Sequence, residues 1–178
     1  MTKNIERVSK VSKRMQGFCT VLMWLIPLFI IYVWLDYQGA RDLGIAHKFP
    51  TIVGEPLLGS LIVGFIISAL MSSLIVGGIY HLRSFFELSK DGNIFSNDGV
   101  GAFYKFSKYI VIFSFITMPV NTLMSVIMSW GNPVGQREIT LSFQAYDLAL
   151  IFLSLVLFTV SLVMKESVLI AEENAQII

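Results

Sequence analysis

Apolar residues run along this chain in four long blocks, and the charges gather between them. Met15 to Leu35 holds 21 residues without a charge, Pro56 to Tyr80 holds 25, Tyr109 to Gln136 holds 28 and Leu148 to Met164 holds 17. A helix of roughly 17–25 mostly apolar residues, rising about 1.5 Å per residue, crosses the hydrocarbon core of a bilayer. The pattern predicts an all-α membrane protein with four transmembrane helices, near 16–35, 57–81, 106–130 and 147–165. Those spans take up half of the 178 residues, so residues 1–178 are expected to form a single membrane domain. The fourth block is short, and Lys165 at its end can snorkel to the interface. The first block follows Lys10, Lys13 and Arg14, as a secretory signal would. It exceeds the signal core of about 7–15 residues and no A-x-A-like site follows, which predicts an uncleaved span.

Within the blocks, small and polar residues recur at helical spacing. Ser60, Gly64, Ser68 and Ser72 fall four apart in the second block, as do Thr117, Asn121, Ser125 and Ser129 in the third. Such stripes let two backbones approach closely, so helix packing is their simplest use. A hydrated path or ligand cleft is another use, and self-association into a homo-oligomer a third. Pro27 and Pro119 each remove one backbone hydrogen bond from their helix. Asn121 is therefore expected to satisfy a carbonyl freed near Pro119. Tyr32, Trp34 and Tyr37 suit an aromatic belt at one membrane interface.

The connections are patterned too. Between the second and third blocks, Leu82, Phe85, Phe86 and Ser89 share one helical face while Arg83, Glu87 and Lys90 cluster toward another. Asp91-Gly92-Asn93 is a turn sequence. Ser96 or Asn97 can cap the next helix, with Asp98 in its first turn, and Phe103, Phe106 and Tyr109 follow at helical spacing. This predicts an amphipathic helical hairpin at the inner membrane surface, serving as an interfacial anchor or as a docking surface for a partner. Further on, Glu138, Thr140 and Ser142 alternate with Ile139, Leu141 and Phe143, which predicts a short strand with Thr51–Val53 as a candidate partner.

Basic residues set the expected orientation. Ten of them, Lys3, Arg7, Lys10, Lys13, Arg14, Arg83, Lys90, Lys105, Lys108 and Lys165, fall on the side of both termini and the middle connection. Only Arg41, Lys48 and Arg137 fall on the other. Both termini and the hairpin are thus expected in the cytoplasm. The net charge of +1 offers no footprint for direct nucleic-acid binding. Cys19 is the sole cysteine, so neither an intrachain disulfide nor a cysteine metal site is expected. No nucleotide loop, nucleophile elbow, H-E-x-x-H or C-x-x-C motif occurs. His47 and His81 fall on opposite sides of the membrane, and no acid falls inside a span. No catalytic, cofactor-binding or metal-ligating residue is therefore named, and an acid-based proton relay is not expected.

The segment LRSFFELSKDGNIFSNDGV, with Gly92, Ile94-Phe95 and Asn97, resembles the middle-loop signature of the bacterial domain-of-unknown-function 2975 family of small four-span inner-membrane proteins. The closing stretch VMKESVLIAEENAQII, with its Glu172-Glu173 pair, resembles that family's ending. The tail departs from the family pattern in Gln176-Ile177-Ile178, where threonine and valine are usual. The resemblance implies a bacterial inner-membrane location and brings no established activity. It also implies a regulatory partnership, since members often sit beside genes for small helix-turn-helix transcription regulators. The leading expectation is a non-enzymatic membrane protein that binds a cytoplasmic partner through Phe85, Phe86, Gly92, Phe95, Asn97, Glu172 and Glu173. The alternative is a transport or channel component using the two stripes.

Overall fold

A computed structural model describes residues 2–42, 57–90, 95–141 and 143–176. It contains five helices: α1 (Thr2–Leu35), α2 (Tyr37–Asp42), α3 (Leu58–Lys90), α4 (Asn97–Ser129) and α5 (Ala145–Gln176). Four of them are long and apolar enough to cross a membrane, and little of each apolar stretch is buried within the protein. That exposure is tolerable only against lipid, so the chain is a multi-pass membrane protein.

The long helices outrun their apolar blocks. With 32 to 34 residues each, they measure roughly 50 Å against a hydrocarbon core of about 30 Å. The excess lies at one end: the start of α1, the close of α3, the start of α4 and the close of α5. It is also the end that carries the ten basic residues. The two arms of the expected hairpin are thus the ends of α3 and α4 themselves. They are held side by side by the Phe85 and Phe103 rings, whose centroids are 5.2 Å apart. Between the two candidate caps, the structure selects Ser96, whose hydroxyl accepts from Gly99 N at 3.1 Å, with Asp98 in the first turn.

Among the described residues, each long helix packs only on its neighbours in the chain: α1 on α3, α3 on α4 and α4 on α5. The result is an open row rather than a closed ring. α1 and α3 meet where Gly64 receives the Trp34 ring, which lies where a side chain would begin. Arg83 Nε adds a polar link by donating to Thr20 Oγ1 at 3.0 Å. At the end remote from the hairpin, Tyr37 and Met128 form a buried core with Trp34 and Leu61 packed against it. The short α2 is turned onto this core by Asp36, whose carboxylate accepts from Gly39 N at 3.0 Å. Burial holds the Tyr37 phenol above its ordinary pKa, against the opposing pull of Arg41.

Two sequence expectations change here. No strand forms among the described residues, and Thr51–Val53 lie outside them. The backbone of the segment between α4 and α5 instead bonds to serines of α4. Ser129 Oγ donates to Glu138 O at 3.1 Å and accepts from Glu138 N at 3.2 Å, while Ser125 Oγ accepts from Thr140 N at 3.0 Å. An extended segment needs partners for its amides, and hydroxyls supply them as well as a second strand does. Asn121 also departs from expectation: its Nδ2 is buried without a hydrogen-bond partner, so it bonds to no carbonyl freed by Pro119.

The Gly64 contact yields a direct test. Gly64→Val forces the Trp34 ring out of its seat, and overpacking of this kind costs about 1–3 kcal/mol. Gly17 has open space where a Cβ would stand. Thermal unfolding in detergent is expected to show a lowered midpoint for Gly64→Val and no such loss for Gly17→Val.

Candidate functional site

α4 and α5 meet along a polar seam that the sequence reading missed. Ser107 and Ser161 hydroxyls lie 2.9 Å apart, and those of Ser114 and Ser154 lie 3.0 Å apart. Ser107, Ser154 and Ser161 are fully buried and Ser114 nearly so. In each pair one hydroxyl donates to the other, and the remaining proton can go to a carbonyl of its own helix. The pairs are seven residues apart on both helices, and the buried Val100 and Val168 fall in the same register. A seven-residue repeat of small residues was the signal available in the sequence, but a search at four-residue steps passes over it.

Continued by one more step, this register sets Asn121 opposite Asp147. Asp147 is 4% exposed; its Oδ2 accepts from Gln144 N at 2.9 Å and caps the start of α5, while its Oδ1 is buried without a partner. The two unpartnered groups, an amide donor and a carboxylate acceptor, thus occupy one polar end of an otherwise satisfied seam. At the other end Asn97 Nδ2 donates to Glu172 Oε1. The seam therefore ties the acidic stretch of α5 to the start of α4. Glu173 and Phe95 are exposed, and Gly92 lies outside the described residues.

The two four-residue stripes fall at matching heights on the antiparallel α3 and α4, yet their members have different uses. Gly64 seats Trp34 of α1. Ser125 and Ser129 hold the backbone at Thr140 and Glu138 between α4 and α5. Ser60 is buried at the start of α3. Ser68, Ser72, Thr117 and Asn121 line a cleft of about 230 Å³ between α1, α3 and α4, with Ile26, Ile67 and Phe113 among its apolar walls. Ser72 and Thr117 turn their protons back onto Ala69 O and Phe113 O. Asn121 lines the same cleft, and its amide nitrogen is buried without a partner.

A second cleft, of about 360 Å³, opens at the hairpin end between α1 and α3. Val8 and Val11 line it from α1, Phe85 and Phe86 from α3, and Arg7 stands on its rim. Ser12 and Ser89 lie buried at its base, Ser89 donating to Phe85 O at 2.7 Å. Phe85 and Phe86 are half-buried: one side packs within the row and the other faces this groove. Val8 and Val11 are exposed, and so are Arg7, Lys10, Lys13 and Arg14 on the same helix. The groove is therefore apolar along most of its length with Arg7 in its lining, on a helix whose other exposed charges there are Glu6, Lys10, Lys13 and Arg14.

Among the described residues no group of three histidine, cysteine, aspartate or glutamate side chains could hold a metal ion. Compared with family models, curated proteins and solved structures, the chain matches none.

The seam predicts a split between two substitutions at one position. Ser161→Ala deletes one interhelical hydrogen bond and is expected to cost about 0.6 kcal/mol, the average found for such bonds inside membranes. Ser161→Leu forces the helices apart and costs about 1–3 kcal/mol. Steric-trap unfolding in bicelles measures both, and equal costs would show that α4 and α5 do not meet closely there.

Proposed function

We propose that this chain is a non-enzymatic protein of the bacterial inner membrane, with both termini in the cytoplasm, that acts as the regulatory or signalling partner of a cytoplasmic protein. The observation that carries the reading is the groove between Val8, Val11, Phe85 and Phe86. It is apolar, it lies beyond the uncharged blocks, and it has Arg7 in its lining with further exposed cations on the same helix. Its occupant is an amphipathic segment that lays apolar side chains into the groove and carries acidic residues beside them. The bias of basic residues supports a cytoplasmic hairpin end. The resemblance of the middle connection to the domain-of-unknown-function 2975 family supports a regulatory partner, a small helix-turn-helix transcription regulator being the favoured class.

Photo-crosslinking tests this. A photoreactive residue at Val11 is expected to capture a soluble protein through an apolar segment flanked by acids, and Arg7→Glu/Lys10→Glu is expected to abolish the adduct. The same probe at Val134, exposed at the opposite end, captures none. Adducts with lipid alone, or an adduct that survives charge reversal, would remove the partner from this groove.

A second reading, transport or conduction along the stripes, draws on the cleft that contains Asn121. A buried amide without a partner costs about 1–3 kcal/mol, so an apolar replacement should be neutral or stabilising. If the cleft carries a solute, Asn121→Leu abolishes flux into liposomes while leaving the unfolding midpoint unchanged or raised. If Asn121 has no transport role, flux is the same as that of empty liposomes for both proteins.

A further inference from the structure

On the far side of α3 from the groove, a third cleft lies between α3 and α4, where the uncharged run of α4 begins. It has a volume of about 410 Å³ and is lined by His81, Lys105, Lys108, Tyr109 and Ile112. That volume falls within the range of about 300–1,000 Å³ usual for small-molecule sites. Tyr109, which lines the cleft, is seated on two glycines of α3. The Tyr109 ring lies over α3 so closely that a Cβ on Gly77 would stand 2.8 Å from its Cε1, and one on Gly78 would stand 3.3 Å from its Cβ. His81 packs beside Tyr109, with ring centroids 5.5 Å apart. Lys105 and Lys108 stand three residues apart on α4, and both are exposed.

The charge here is uncompensated. Among the described residues, neither lysine has an ion-pair partner and the Tyr109 hydroxyl has no hydrogen-bond partner. Glu87 is engaged with Arg83 and Lys90. Asp98 is the only acid in α4, seven residues before Lys105 and thus about 10 Å along the helix. Two like charges one turn apart repel, and an anion between them relieves the repulsion. Tyr109 opens the 28-residue uncharged run, so the cleft sits where hydrocarbon gives way to headgroups. Basic pockets between transmembrane helices at this level suit anionic headgroups.

We propose that Lys105, Lys108, His81 and Tyr109 form a site for the phosphate of an anionic phospholipid. The lysines act as point charges on the phosphate oxygens, and the Tyr109 hydroxyl donates a hydrogen bond. His81 closes the α3 side, and Ile112 meets the first carbons of the acyl chains. The site is independent of the groove on α1 and stands or falls apart from it.

Native mass spectrometry from detergent tests the site with phosphatidylglycerol and phosphatidylcholine of matched chains. The wild type is expected to retain phosphatidylglycerol preferentially. A lysine beside an anionic headgroup contributes about fivefold, so K105Q/K108Q is expected to lose about thirtyfold of that preference. Tyr109→Phe keeps the ring on Gly77 and loses several-fold. K10Q/K13Q removes the same charge from α1 and is expected to keep the preference. No preference in the wild type, or an equal loss in K10Q/K13Q, would overturn the site in favour of diffuse attraction. Millimolar glycerol phosphate that binds to the wild type without any lipid preference would overturn the lipid in favour of a soluble phosphate.

Discussion

Inside a bilayer, two apolar helices gain almost nothing by hiding from lipid tails, because the tails are as apolar as the helices. What holds this row together must therefore be close approach and hydrogen bonding. Every interface of the row shows one or both. α1 reaches α3 through the Trp34 ring on Gly64 and the Arg83–Thr20 bond. α3 reaches α4 through Gly77 and Gly78 beneath Tyr109. α4 reaches α5 through two serine pairs. Large side chains are left to face lipid, where their size costs nothing.

The same constraint governs the polar groups. A hydroxyl in lipid bonds first to its own helix, as Ser72, Thr117 and Thr159 do. The bond crosses between elements where two such hydroxyls meet, where a loop backbone arrives, or where Arg83 reaches Thr20. Ser125 and Ser129 are of the second kind, and they keep the amides of Glu138 and Thr140 satisfied without a strand. Against this thorough pairing, the unpartnered Asn121 amide and Asp147 oxygen stand out, at one height of the α4–α5 seam.

An open row also separates tasks. Each interior helix has two packed faces and the outer helices have one, so grooves between neighbours stay open to their surroundings. At the hairpin end this leaves an apolar groove on one side of α3 and a cationic cleft on the other. One is suited to a protein segment and the other to a headgroup.

The sequence alone carried the number of spans, their limits near Leu35, Leu58, Ser129 and Ala145, and the cap near Ser96. These follow from local quantities: length of an uncharged run and side-chain oxygens at a helix start. It also marked Ser60–Ser72 and Thr117–Ser129 as places of close approach. Which element each would approach was decided only by the tertiary structure, because a small residue specifies how near a neighbour comes and not which neighbour it is. Hence Gly64 went to Trp34, Ser129 to the α4–α5 connection, and the α4–α5 contact to Ser107, Ser114, Ser154 and Ser161. The Phe85–Phe86 face was legible as amphipathic, but that α1 extends back to Thr2 and makes it one wall of a groove depends on how α1 and α3 cross. Likewise the meeting of His81 with Lys105 and Lys108 belongs to the register of two antiparallel helices, which no local pattern encodes.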